Sequence, residues 1–288
     1  MQLPLSDVAD DRVEAALADI EHSIWKSWYE IRYASDDPVT ELWGMVDRLR
    51  DYLGACSIAD PGLSSKSART AMRTAAEAAF GAIELEMWPL GDQDIRLLMI
   101  GEGISSQEQD FHYLSETVPP VSRWLDAYWL MIMGGLVSVQ GGVLAENSAP
   151  EIFDVCGDSL EGIVMNALSD YIGGEYPASR LCRPSDENRQ HYRRLLAATP
   201  IGAGSPAGML RALLEEDESG FEVERRAWLG WYRDQISGSP EPSVLLPLPV
   251  IGLTALAVHA HGWQGQAASG WLPAGLPVEV DGVSTIWS

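Results

Sequence analysis

Positive charge is scarce in this chain. Across 288 residues, 19 Lys and Arg stand against 42 Asp and Glu, a formal net charge of −23. Nucleic-acid binding needs a basic footprint that displaces counterions from phosphates, so that class is excluded. Docking on an anionic membrane is excluded on the same ground. Cysteine is scarce as well: Cys56, Cys156 and Cys182 are odd in number, widely spaced and free of any C-x-x-C. Neither a disulfide framework nor a zinc site follows from them. Buried free thiols in a reducing compartment are expected instead. The opening MQLPLSDVADD lacks a basic segment followed by an apolar run. No signal peptide is therefore expected, and the protein is read as cytoplasmic. A Gly-rich phosphate loop of either usual form is also missing. So is the D-D-x-x-D of metal-dependent prenyl transfer, because Asp10-Asp11 and Asp36-Asp37 are followed by Glu14 and Thr40. Neither a metal nor a cofactor is expected.

What is present is a large apolar inventory, 46% of the chain with eleven Trp, enough for a real core. The central stretch is Ser243 to Pro273. From Val244 to Val258 it carries no charge, and Leu, Ile, Val and Ala cover every face of a helix over about 249–261. A helix apolar all round must be enclosed by other elements or by lipid. The run is shorter than the roughly 20 residues a bilayer requires and is interrupted by Pro247 and Pro249, so a protein core is expected. Pro249 suits the first turn and Gly262 a left-handed cap.

Periodicity predicts further helices. The first runs over about 7–33, with Val13, Leu17, Ile20, Ile24, Trp28 and Ile31 as its inner stripe. The next carries Val39 to Leu53, and a third covers 67–87. A β-like run at 95–100 precedes an irregular acidic segment over 101–120. Later helices are expected over 120–133, 158–173, 185–198, 206–216 and 221–236. Asp281-Gly282 between β-branched runs predicts a hairpin at 278–286. The expected fold is mostly α: one domain over 1–288, a multi-helix bundle or solenoid-like array with a small C-terminal β-hairpin.

Chemistry-bearing motifs are few. Gly157-Asp158-Ser159-Leu160 matches the signature of the GDSL hydrolases, which would make Ser159 an esterase nucleophile. The D-x-x-H that family places late occurs here only at Asp19 to His22, early and within a helix. Asp158-x-x-Glu161 reads better as a capping box. His259 and His261 are two apart and face different ways on a helix; as cations they would meet the negative end of its dipole. No histidine has the acid and nucleophile neighbours of a triad. The close pairs Trp25 and Trp28, Trp124 and Trp129, and Trp228 and Trp231 are expected mostly in the core, with one of each pair partly exposed where it lies on a different helix face.

The C-terminal third resembles a known family. Leu213-Leu214, Phe221, Leu229, Leu246-Pro247-Leu248, Leu253 to Ala257, His261-Gly262-Trp263 and Trp271-Leu272-Pro273 are similar to the helical pair, Pro-rich turn and His-Gly-ended helix of the immunity 49 family. The helix around Trp124-Leu125 also resembles that family's central helix. Trp271 stands where the family pattern has Tyr. The resemblance implies a cytoplasmic antitoxin that binds and neutralises a cognate polymorphic toxin by direct contact, without catalysis. Given the acidity, a basic toxin surface is the expected partner. The expected contact residues are Glu102, Glu108, Asp110, Phe111, Tyr113 and Glu116 in the acidic segment, and Glu215, Glu216, Asp217 and Glu218 at a helix end. The alternatives are the esterase reading and a helical scaffold without toxin involvement.

Overall fold

A computed structural model describes residues 10–88, 91, 93–109, 111, 118–138, 159–173, 180–201, 205–236 and 241–263. Over these the fold is mostly α, as the periodicity predicts, with two small antiparallel strand pairs. The expected hairpin at 278–286, Cys156 and Trp271-Leu272-Pro273 lie outside the described residues.

The expected first helix is two: α1, Asp10–Leu17, and α2, Ile20–Tyr33. They are separated at Asp19, whose φ of 52° is left-handed. Asp tolerates that region better than most residues. The predicted stripe divides at the same point. Ile20, Ile24, Trp28 and Ile31 are buried, whereas α1 buries nothing and Leu17 is exposed. Helix α1 lies against α3 without burying any residue fully, so little packing holds it in line with α2.

Helix α3, Pro38–Ala59, starts directly after Asp36-Asp37. Asp37 Oδ1 accepts from Thr40 N at 3.0 Å, and Pro38 occupies the first turn. Helix α4, Lys66–Met87, is capped by Ser65 and is buried along most of its length. Its alanines let it lie between α3 and α6, Val121–Gly134. Gly134 backs onto Ala76, and Gly135 closes α6 at φ 69°. The two glycines thus serve as the helix's contact and its cap.

Between α4 and α6 the acidic segment is more ordered than the sequence suggested. Strand β1, Asp94–Leu97, pairs antiparallel with β2, Glu102–Ser105, with Ile95 opposite Ile104. A one-turn helix α5, Ser106–Gln109, follows. The hairpin is tied to α4 where Met99 N donates to Thr74 Oγ1 at 3.0 Å.

The remaining helices are α7, Leu160–Asp170; α8, Asp186–Ala198; α9, Pro206–Glu215; and α10, Glu218–Ile236. The second strand pair joins β3, Ile172–Gly173, to β4, Arg180–Leu181. A 3-10 turn, Pro242–Leu245, leads into α11, Leu248–His259. Every residue of α11 from Val250 to Val258 is buried, and it packs on α6 and α9. Pro242–His259, 18 residues, is long and apolar enough by composition to be a candidate span, but 78% of it is buried inside the protein. It is the central helix the composition predicted.

Candidate partner-binding surface

Helix α2 presents two faces of opposite character. Inward, Ile24, Trp28 and Ile31 enter the core, and Arg48 donates to Ser27 Oγ from α3. Outward, Trp25, Tyr29 and Tyr33 follow one another at i, i+4 and i+8 and form one row. Their exposures are 40%, 56% and 62%. Tyr29 and Tyr33 lie 4.9 Å apart between ring centroids, and Trp25 meets Trp28 edge-on at 5.0 Å. Trp28 carries the row's geometry to the hairpin, because its Nε1 donates to Gly103 O at 2.9 Å. Arg32 lies 5.3 Å from the Trp28 ring and 5.7 Å from that of Tyr33, and it reaches Glu108 at 3.4 Å. The exposed Glu21 extends the same row one turn before Trp25. The result is a rigid aromatic ridge edged by carboxylates.

This ridge collects part of the acidic segment picked out in the sequence. Glu108 is exposed beside Arg32, and Glu102 is half-buried in β2 opposite Leu97. Phe111 is 2% exposed and belongs to the core, so it is removed from the expected contact set. Asp110, Tyr113 and Glu116 lie outside the described residues. Tyr29, Arg32 and Tyr33 were missed by the sequence reading. For the two tyrosines the available signal was the four-residue spacing they share with Trp25, on the side of α2 opposite the apolar stripe.

In the second acidic cluster all four residues are exposed, and two of them also hold local structure. Glu216 has φ 58°, and its Oε1 accepts from Arg183 at 2.9 Å and Arg189 at 2.5 Å. Asp217 Oδ1 accepts from Gly220 N at 2.9 Å, which caps α10. Glu215 and Glu218 are exposed.

The same arginines border the end of α11. His261 is buried and its Nε2 lies 2.8 Å from the Tyr171 hydroxyl. Arg183 donates to the backbone oxygens of Ala260 and His261 at 3.1 and 3.0 Å. Burial, reinforced by Arg183, pushes the His261 imidazole down to about 4. It is neutral at pH 7, which corrects the expected cationic cap: the guanidinium of Arg183 takes that role. Trp263 packs on Phe221 at 5.8 Å, and Gly262 has φ 73°. The His-Gly-Trp of the family-like segment is therefore a lock on the core helix.

Ser159 is the N-cap of α7. Its Oγ accepts from Gly162 N at 3.1 Å, so the cap is Ser159 itself, one residue beyond the capping box predicted at Asp158. Ser159→Ala is expected to lower stability by about 1 kcal/mol in urea unfolding. Parent and variant should hydrolyse a generic ester equally poorly; a loss of hydrolysis confined to the variant would restore the esterase reading. Among the described residues no group of three or more His, Cys, Asp or Glu is placed to hold a metal. Two of the three tryptophan pairs divide as expected, with Trp25 and Trp231 exposed and Trp28 and Trp228 buried; Trp124 and Trp129 are both interior.

No family model matches the chain, and neither a curated protein nor a solved structure matches it.

Proposed function

We propose that this protein is a non-catalytic binding protein of the immunity class, which neutralises a basic toxin by covering it with the aromatic ridge of α2. The observation that carries this reading is the row Trp25, Tyr29 and Tyr33, exposed on a helix whose other face is fixed in the core. Trp, Tyr and Arg dominate binding hot spots, because they bury much area at little entropic cost. A rigid ridge also avoids the ordering penalty of a flexible loop. The net charge of −23 supplies long-range attraction to a basic partner and discourages acidic ones. The resemblance of the C-terminal third to the immunity 49 family points to the same class, with the toxin as partner and the cytoplasm as place of action.

The test is co-expression with the product of the adjacent gene, followed by pull-down and a growth-rescue assay. A stoichiometric complex that rescues cells supports the immunity reading; an adjacent product that neither binds nor needs neutralising leaves a scaffold and sinks it. The double variant Tyr29→Ala, Tyr33→Ala removes exposed rings only, and should weaken that complex by about 100-fold while leaving unfolding unchanged. Glu108→Lys should slow association and reduce its salt sensitivity. Full affinity in both variants would place the interface elsewhere.

A further inference from the structure

Away from α2, a cavity of about 630 Å³ opens between α10 and the segment that enters α11. Trp228, Trp231 and Tyr232 form one wall, and Pro206 and Pro247 contribute rigid apolar surface. That volume lies in the range of small-molecule sites, which are largely apolar with a few fixed polar groups.

Trp228 and Tyr232 stack at 4.4 Å and 16° between ring planes, and Trp231 is 45% exposed. The Tyr232 hydroxyl is committed to Val244 O at 2.9 Å, which fixes that ring. Trp228 is 3% exposed, and its indole N–H has no acceptor among the described residues. Arg50 and Asp126 also line the cavity, 3.4 Å apart. This long contact leaves donor capacity on the guanidinium. The opposite charges of Arg50 and Asp126 face each other across this contact, so the cavity has no unmatched charge for an ion and suits a neutral ligand.

We propose that this cavity is a binding site for a small, neutral, flat aromatic molecule bearing a hydrogen-bond acceptor. Its ring lies against Trp231 and Tyr232, and its acceptor takes an Arg50 N–H. The site is separate from the aromatic ridge, and the proposal does not depend on the immunity reading.

Coumarin is a suitable probe, with a flat ring system, a carbonyl acceptor and no charge. Calorimetric titration of the full chain should give saturable 1:1 binding. Trp231→Ala removes a half-exposed ring and should weaken coumarin about tenfold. Arg50→Met keeps an apolar stem in the wall but removes the donor, and should also weaken it by up to about tenfold. Circular dichroism and urea unfolding check that both variants are folded. An absence of saturable binding, or parent-like affinity in both variants, overturns the proposal. So does a coumarin-blind cavity whose Trp231→Ala variant loses affinity for a protein partner, because the groove then receives a side chain.

Discussion

Gly54→Ala is expected to destabilise the protein by about 3 kcal/mol, the upper part of the usual range for overpacking. A Cβ on Gly54 would stand 1.9 Å from Pro242 O and 2.5 Å from Pro242 C. These are backbone atoms and cannot rotate away as a side chain would. Nor is the 3-10 turn free to withdraw. Ser243 N donates to Asp51 Oδ1 at 3.0 Å, and Val244 O accepts from Tyr232. Two residues after Leu246 the chain enters the buried α11. Relief therefore requires α3 to separate from the turn or the start of α11 to move. Gly44→Ala on the same helix is the control. Its Cβ would meet only the Arg48 guanidinium, at 3.7 Å. With no clash, the helical preference for alanine should stabilise that variant by about 0.5–1 kcal/mol. Urea unfolding of the pair should give opposite signs. Equal small effects would mean that α3 does not approach the turn so closely.

Glu84→Gln should stabilise the protein at alkaline pH, by up to about 3 kcal/mol, and leave it nearly unchanged at acid pH. Burial, assisted by the nearby Glu77, raises the Glu84 carboxyl from 4.5 to about 7. The folded state therefore holds a proton that the unfolded chain has already released. That contribution is fully present below 4.5 and is lost as the pH rises through 7. Glutamine copies the protonated form at every pH, so the gain should appear above 7 and vanish near 4. His261 works in the opposite direction. Its folded-state value of about 4 lies below the ordinary 6.5, so its contribution is present above 6.5 and is lost as the pH falls through 4. The two slopes oppose each other between 4.5 and 6.5 in the parent. Of these two slopes only that of His261 remains in the variant, so relative to the parent its stability should gain as the pH rises. Urea midpoints at about pH 4 and pH 8 test this. The same difference between parent and variant at both would rule out Glu84 as the titrating group.

Much of the fold was legible because long helices repeat their signal. The run from Leu248 to His259 could only be an enclosed helix, and Asp37-Pro38, Ser185 and Ser205-Pro206 mark helix starts by their capping chemistry. Short elements carry too few residues for this. In β2 only Ile104 points into the core, and a single apolar residue has no period. The break at Asp19 was hidden because Val13 and Leu17 continue the helical spacing, although neither is buried. The charge state of His261 depended on burial against Tyr171, 90 positions earlier, which sequence spacing cannot reveal. The acidic segment was located correctly as a surface feature at Glu108, but Phe111 within it is an inward anchor. The aromatic ridge shows the limit most clearly. Aromatics at helical spacing usually mean core, and only the buried stripe on the other side of α2 shows that Trp25, Tyr29 and Tyr33 must face outward.

The position of α11 in the chain has a consequence for biosynthesis. The helices that enclose it, α6 and α9, and the α3 surface that holds its leading turn all leave the ribosome before it does. The Asp51 to Ser243 bond joins residues 192 positions apart. Until the segment from Pro242 to His259 emerges, the earlier helices have an open apolar trough where α11 will lie. Domains generally fold as units, and surfaces exposed in this way are what chaperones bind. A chain truncated at residue 240 and released from the ribosome should therefore stay captured by a holdase chaperone, and the full chain should be let go.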